Sequence, residues 1–141
     1  MDEFRFQFVR AVQLGAALLI VFIIMGYRGP WNASRVASLA LAVPSLTLLF
    51  VARFQLGRSF AVTPLAKQLV THGLYSKIRH PIYVFSFLLV LSLFIALQRP
   101  ILLVLAVLLL IVQITRARRE AKVLEEKFGD EYRAYRARTW F

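Results

Sequence analysis

The chain has 141 residues, 60% of them hydrophobic, with no cysteine and a net charge of +11. Its mean hydropathy of +0.67 excludes an ordinary soluble domain and predicts a single all-α membrane domain over 1–141. Without cysteine there can be no disulfide, thiolate nucleophile or cysteine metal site, and two histidines are too few to predict a metal centre. Because the cations flank apolar runs, we expect them to meet anionic membrane lipids and expect no nucleic acid partner.

Four uncharged stretches are long enough, or nearly long enough, to cross the hydrocarbon core of a membrane, which takes roughly 17 to 25 helical residues. These predicted transmembrane helices run over 11–27, 36–52, 81–98 and 100–115. Only Arg99 separates the last two, and Pro100 can begin a helix but not continue one, so the sequence predicts a tight helical hairpin there. No basic region or cleavage site marks a signal peptide, so the first stretch is expected to remain in the protein.

The positive charges orient these helices. Fifteen of the 18 Lys and Arg residues lie on the side that holds both termini and the 53–80 connection, and three lie on the other side. By the positive-inside rule, both termini and the 53–80 loop are predicted to be cytoplasmic. Gly57, Pro64 and Gly73 interrupt this loop, so we expect an ordered loop with at most short helices.

The second stretch carries signals of close packing and of capping. Ser34, Ser38 and Ala42 follow the small-residue spacing that lets helices approach closely in lipid. Asn32-Ala33-Ser34 matches a glycosylation sequon, but capping of the helix by Asn32 or Ser34 is the favoured interpretation.

Beyond the fourth stretch the sequence predicts an amphipathic cytoplasmic helix over 116–135, because apolar residues recur at helical spacing on one face. Gly129 is expected to end or bend this helix. Arg116 and Glu120 are four residues apart, so they share a helix face where the chain leaves the membrane.

The end of the cytoplasmic loop reads HGLYSKIRHPIY and gathers polar and aromatic residues before the third helix. Pro81 can begin that helix, so Arg79 and His80 are delivered at the membrane edge. Because the third and fourth helices form a hairpin, this pair is predicted to meet Arg116 and Glu120 in one polar pocket. Taken singly, the arginines could snorkel to headgroups, the glutamate could form an ordinary ion pair within its helix and the histidine could be of no consequence. None of these interpretations explains the set.

Two blocks of residues form longer patterns. The first is Leu69-Val70-Thr71-x-Gly73-x-Tyr75-x-x-x-Arg79-His80-Pro81-x-Tyr83, and the second is Arg116-x-x-x-Glu120-x-x-x-Leu124-x-x-x-Phe128-Gly129-x-x-Tyr132-x-x-Tyr135. Together they resemble the superfamily of isoprenylcysteine carboxyl methyltransferases and phospholipid methyltransferases, which are integral membrane enzymes. The upstream run LGRSF at 56–60 is similar to bacterial members, which implies a bacterial inner membrane.

The resemblance implies an S-adenosylmethionine-dependent methyltransferase whose acceptor is a lipid or another lipophilic small molecule. Arg116 is expected to contact the reacting end, and Arg79 is the second expected catalytic residue. The residues expected to bind the cofactor are Leu69, Val70, Gly73, Tyr75, His80, Pro81, Tyr83 and Glu120. The sequence leaves the acceptor open, since a prenylcysteine, a phospholipid amine, a quinone-like lipid and a small hydrophobic thiol all fit, and it leaves the oligomeric state open.

Two positions depart from the family pattern. Members often have a glycine two residues after the last tyrosine of the first block and a second glutamate beside the first, where this chain has Phe85 and Ala121. The phenylalanine is expected to crowd the cofactor cleft, and the alanine removes one candidate ligand for the cofactor's amino group. Both favour a first alternative, a non-catalytic lipid-binding or partner-stabilising module. A second alternative is a membrane reductase, since sterol reductases resemble this superfamily in architecture.

Overall fold

The computed structural model describes residues 2–26, 29–56 and 69–141, with side chains from residue 11 onward within these ranges. The α-helices in them are α1 (Asp2–Gly26), α2 (Ala33–Leu56), α3 (Pro81–Leu97) and α4 (Ile101–Arg138). A 3₁₀ turn, Gly73–Ser76, precedes α3. The all-α prediction is confirmed for this part of the chain.

Two of the helices, α2 and α4, are long and apolar enough to cross a membrane. The apolar part of α1, Ala11–Gly26, and the whole of α3 are shorter apolar helices. Among the described residues there are thus two candidate spans by length and composition, and a set of four transmembrane helices stays a prediction.

The helix ends differ from the predicted spans because those spans are bounded by charges, and charged residues do not stop an α-helix outside the membrane. α1 begins at Asp2 and not at residue 11, and α2 extends past both predicted ends. α4 continues through residue 115, so the predicted fourth span and the predicted cytoplasmic helix are one element. Tyr27 and residues 57–68, and with them Gly57, Pro64 and most of the LGRSF run, lie outside the described residues.

α3 packs mainly against α2 and also contacts α1 and α4. The core between the helices consists of small and apolar side chains: Ala17, Ile24, Ala42, Leu49, Phe85, Leu89 and Ala96. On α2, Ser38 and Ala42 are fully buried, which confirms the predicted close packing along their face. The same buried face continues to Ala52 and Arg53 in the last turns of the helix.

The connection between α1 and α2 is held by Asn32 and Arg35. Asn32 Oδ1 accepts a hydrogen bond from the Arg35 backbone N–H at 3.0 Å, so Asn32 caps α2 as predicted. The buried Arg35 side chain donates to the carbonyl oxygens of Gly29 and Met25 and stacks on the Trp31 ring, 4.0 Å from its centroid. One guanidinium therefore supplies a donor to the end of α1, where helix carbonyls lack partners within the helix.

Arg35→Met is expected to lower the melting temperature of the detergent-solubilised protein. Two carbonyl oxygens lose a charged donor, and each such hydrogen bond contributes about 1.5–3 kcal/mol. Arg35→Lys keeps the charge but not the planar fork, so its melting temperature should fall less. A melting temperature of Arg35→Met equal to that of the wild type would show that the connection does not depend on this side chain.

The predicted hairpin between α3 and α4 is present. Gln98 follows α3 in the left-handed conformation (φ 51°), and α4 begins directly after Pro100. Across the two helices, Gln113 Nε2 donates to the Ser86 hydroxyl at 3.3 Å. This contact fixes how the two helices lie alongside each other. The start of α3 is one to two turns before Ser86, and residues 116–120 are about the same distance after Gln113. Because the helices of a hairpin run in opposite directions, the start of α3 and residues 116–120 lie at the same level.

α4 bends at Gly129, where φ is 52° and ψ is −121°. Beyond the bend, Arg133 Nε lies 3.0 Å and Arg136 lies 3.7 Å from the Glu125 carboxylate. These residues are eight and eleven positions from Glu125, which in a straight helix would separate them by about 12 and 16 Å along the axis. The contacts therefore require the bend, and the non-helical backbone at Gly129 interrupts the helix at the residue where an end or a bend is predicted.

Candidate functional site

The 3₁₀ turn before α3 is fixed to the end of α2 by Gln55. Gln55 Oε1 accepts a hydrogen bond from the Leu74 backbone N–H at 2.7 Å. Gly73 has a positive φ of 61°, and a Cβ at this position would collide with the Gln55 side chain. The backbone conformation favours glycine at 73, and a larger residue would also displace the Gln55 side chain that accepts the Leu74 hydrogen bond.

Tyr75, in the same turn, is tied to the bent end of α4. The Tyr135 hydroxyl donates to the Tyr75 carbonyl oxygen at 2.7 Å, and both residues are buried. Burial raises the pKa of the Tyr75 hydroxyl, and the negative charge of Glu120 raises it further. The Tyr75 hydroxyl therefore stays protonated at neutral pH and is available as a hydrogen-bond donor.

Residues 140 and 141 pair with the segment before α3 in a short parallel bridge between Ile78 and Trp140, which we call the 78–140 bridge. The Trp140 N–H donates to the Lys77 carbonyl oxygen at 3.0 Å, and the backbone N–H groups of Arg79 and His80 donate to the Phe141 carbonyl oxygen at 2.7 and 3.2 Å. The Phe141 ring also meets the His80 ring edge-on, with centroids 6.1 Å apart. The backbone at Arg79 and His80 is therefore fixed by residues 140 and 141, in addition to the Gln55 hydrogen bond that fixes the preceding turn.

His80 and Glu120 connect the two sequence blocks. His80 is 6% exposed, and its Nδ1 lies 3.5 Å from Glu120 Oε2. The Tyr83 ring lies 5.7 Å from the His80 ring and its hydroxyl faces the Glu120 carboxylate. The structure thus brings the start of α3 and the middle of α4 together, as the hairpin argument expects.

These residues surround a cavity of about 230 Å³. Seven of the ten predicted site residues line it: Tyr75, Arg79, His80, Pro81, Tyr83, Arg116 and Glu120. The other lining residues are Gln13, Arg53, Leu56 and Ile82. Each of the helices α1 to α4 therefore contributes to the cavity. No group of three or more metal-ligating side chains occurs among the described residues.

Three predicted cofactor-binding residues do not line the cavity. Leu69 and Val70 are half-buried and precede the 3₁₀ turn, beside the part of the chain that is not described. Gly73 begins the 3₁₀ turn with a positive φ of 61°. Tyr75, which lines the cavity, belongs to the same turn as Gly73.

Arg53 and Gln13 are cavity residues that sequence reasoning missed. From the sequence, Arg53 counts only as a cytoplasmic cation, because an arginine after an apolar run usually snorkels to headgroups. In the structure it is 6% exposed and continues the buried face of Ser38 and Ala42. The sequence does contain a signal that could have identified Arg53. If the face of Ser38 and Ala42 is continued along α2 at helical spacing, it reaches Arg53.

Phe85 and Ala121, the two departures from the family pattern, lie in different surroundings. The Phe85 side chain is 7% exposed, belongs to the helix core with Leu49 and Leu89, and is not among the residues that line the cavity. The expected crowding of the cleft by Phe85 is therefore not seen. Ala121 is half-buried next to Glu120, which is the only carboxylate among the described lining residues.

Comparison with known proteins gives one family. The family model described as phospholipid methyltransferase matches residues 33–131, which are 99 of the 141 residues. Curated proteins and solved structures give no significant match. The matched range begins with α2 and contains the first sequence block and the second block as far as Gly129, so it includes all the charged residues among the described residues that line the cavity. The chain therefore belongs to the phospholipid methyltransferase family.

Proposed function

We propose that this protein transfers a methyl group from S-adenosylmethionine to a lipophilic acceptor at the cytoplasmic face of a bacterial inner membrane. Family membership supports a methyltransferase that acts on a lipid. The observation that carries the proposal is the contact between His80 and Glu120, because it joins the two sequence blocks on a single cavity at the end of the helical hairpin.

The lining residues fit the chemistry of the cofactor. Glu120 can accept hydrogen bonds from an ammonium or a ribose hydroxyl, and Tyr75 and Tyr83 offer aromatic surface and hydroxyl donors. Nε of Arg79 is buried and has no hydrogen-bond partner within the described ranges, as expected of a donor that meets a ligand. The cavity volume of about 230 Å³ is slightly below the roughly 300–1,000 Å³ typical of small-molecule sites.

When bound, S-adenosylmethionine supplies a methyl group on a positively charged sulfur. The contribution of the chain is positioning and exclusion of water, which together can account for most of the acceleration of such a displacement. Tyr75, His80 and Glu120 are proposed to hold the cofactor. Arg116 and Arg79 are proposed to orient the acceptor, because a planar guanidinium fixes a carboxylate or phosphate by two hydrogen bonds.

The surroundings of the cavity suit an apolar acceptor. Large apolar side chains along the first three turns of α4, among them Leu103, Val107 and Ile111, are exposed. Such a surface on a candidate membrane span is expected to face lipid. A lipophilic acceptor could then reach Arg116, one turn beyond this surface, without leaving the bilayer, while a polar cofactor arrives from the aqueous side.

Glu120→Gln and His80→Ala are each expected to weaken S-adenosylmethionine binding by about tenfold or more, because a charged or buried hydrogen-bonding group aimed at the ligand is lost. Titration calorimetry in detergent measures this without an acceptor. Glu126→Gln, which removes an exposed carboxylate from the same helix, is the matched control. Wild-type affinity in both site variants would remove the basis for the cofactor assignment.

Ala121 supports a second candidate function, a non-catalytic lipid-binding or partner-stabilising module of the same fold. The two functions differ in whether radiolabelled S-adenosylmethionine yields a labelled lipid when the protein is incubated with membrane extracts. A labelled product supports the enzyme. Lipid binding without S-adenosylmethionine binding supports the module.

The cytoplasmic orientation of the cavity is tested by single-cysteine labelling, which the absence of native cysteine makes simple. A cysteine in place of the exposed Lys77 should react with a membrane-impermeant maleimide only after the cells are opened. A cysteine in place of the exposed Trp31, at the opposite end of the bundle, should react in intact cells. The reverse pattern would invert the proposed topology.

A further inference from the structure

We infer that Arg53 is an oxyanion-binding residue of the cavity, where it holds a carboxylate or a phosphate together with Arg116. This inference rests on the proposed function and adds to it a residue and a ligand chemistry. Arg53 lies on α2, outside both sequence blocks, and its side chain reaches the same cavity as Arg79 and Arg116.

The burial of Arg53 separates it from an ordinary cation at the end of a membrane helix. A snorkelling arginine extends its guanidinium to water or headgroups, whereas Arg53 is 6% exposed and lies on the buried face of α2. Arg35, at the other end of α2, is equally buried, but its guanidinium bonds backbone carbonyls of the preceding connection and stacks on a tryptophan. Arg53 differs from Arg35 in that it lines the cavity that holds Arg79, Arg116 and Glu120.

The charges of the cavity favour an anion. Among the described lining residues there are three guanidiniums and one carboxylate, so the wall carries two more positive than negative groups when His80 is neutral. S-adenosylmethionine has a sulfonium, an ammonium and a single carboxylate, so it brings a further net positive charge. Like charges in a half-buried site repel strongly because screening by water is weak there. An oxyanion between the guanidiniums relieves this repulsion.

Arg53 and Arg116 approach this place from opposite helices. Arg53 lines the cavity from α2 and Arg116 lines it from α4, and the Tyr75 and Tyr83 side chains belong to the same wall. An oxyanion next to these hydroxyls therefore has a guanidinium fork on the α2 side and another on the α4 side. Paired forks are the arrangement by which arginines recognise carboxylates and phosphates in a fixed orientation.

Two sources can supply the oxyanion: the carboxylate of the cofactor, or an anionic group of the lipid acceptor. Two pairs of probes distinguish them. S-adenosylhomocysteine carries the carboxylate, and 5′-methylthioadenosine lacks it. Dodecyl phosphate is an anionic amphiphile, and dodecanol is its neutral counterpart. Binding of the nucleosides is measured by calorimetry, and that of the amphiphiles by the rise in melting temperature in phosphatidylcholine nanodiscs.

The variants are Arg53→Gln, Arg53→Lys and the matched control Arg118→Gln, which removes an exposed arginine that does not line the cavity. If the cofactor is the source, Arg53→Gln should bind S-adenosylhomocysteine about tenfold or more weakly and 5′-methylthioadenosine as the wild type does. If the acceptor is the source, nucleoside affinities should be unchanged, and Arg53→Gln should lose most of the stabilisation by dodecyl phosphate but not that by dodecanol. Arg118→Gln should behave as the wild type throughout.

Arg53→Lys keeps the positive charge and removes the planar guanidinium. If Arg53→Gln does not fold, Arg53→Lys is used in its place, and its binding of either S-adenosylhomocysteine or dodecyl phosphate is expected to be about threefold or more weaker than that of the wild type. Binding of both anionic probes by the Arg53 variants at wild-type strength would overturn the inference. A failure of the proposed function gives a different result, because the wild type itself then does not bind S-adenosylhomocysteine. In that case the comparison of dodecyl phosphate with dodecanol still tests Arg53.

Discussion

Arg116→Lys should lower the turnover of lipid methylation by about a hundredfold or more while S-adenosylmethionine affinity stays within a few-fold of wild type. Arg116 lines the cavity where α4 reaches it, on the same face as Glu120. Its guanidinium can fix an acceptor oxyanion by two hydrogen bonds, whereas lysine supplies the same charge without the planar geometry. Misplacement of reactants by about 1 Å is enough to cost a factor of this size.

The measurement needs an acceptor, found first by screening membrane lipid extracts for a product labelled from radioactive S-adenosylmethionine. Arg119→Lys is the control, since it makes the same change at the exposed arginine three positions further along α4, outside the cavity. If Arg116→Lys methylates the acceptor at nearly the wild-type rate, Arg116 is an interfacial cation and Arg53 and Arg79 become the candidates for orienting the acceptor.

Gly129→Ala should destabilise the protein and weaken cofactor binding together. The backbone at Gly129 has φ 52° and ψ −121°, a conformation that side-chain-bearing residues adopt only at a cost of about 1–3 kcal/mol. That cost corresponds to a fall of roughly 3–12 °C in melting temperature. S-adenosylmethionine affinity should fall by about tenfold, because the bend places the Tyr135 hydroxyl on the Tyr75 carbonyl beneath the cavity.

Gly15→Ala is the matched control for this substitution. Gly15 lies inside α1 with no atom within 4 Å of an added Cβ, so alanine there should leave the protein unchanged or stabilise it by about 0.5–1 kcal/mol. A Gly129→Ala protein that melts with the wild type and binds S-adenosylmethionine normally would mean that the bend is not needed for the cavity.

The parts of the fold that depend on local rules could be predicted from the sequence. Asn32 caps α2 because its side chain is the right acceptor at the right position, and α4 begins directly after Pro100, whose fixed φ suits the start of a helix. Pairing His80 with Glu120 needed only the hairpin and a count of residues along each helix. Glycine at 129 similarly marked a change of direction in α4.

The parts that depend on long-range contacts could not be predicted in this way. Arg53 is buried only in the assembled protein, whereas from the sequence it is one more basic residue after an apolar run. The 78–140 bridge is made by backbone groups of residues that have no strand pattern. The family pattern predicts that Gly73 contacts the cofactor. In the structure a Cβ at this position would overlap the side chain of Gln55, which belongs to α2.

The 78–140 bridge has a consequence for the order of folding. Its two sides are 62 residues apart in sequence, and the helices between them must be made before the sides can meet. Contacts of such separation form late, because the entropy lost in closing the chain is recovered only once the rest of the bundle is in place. During synthesis, therefore, the helices can assemble in the membrane while Arg79 and His80 still lack their second support. The cavity should acquire its affinity for the cofactor in one late step, after residue 141 has been added and has left the ribosome.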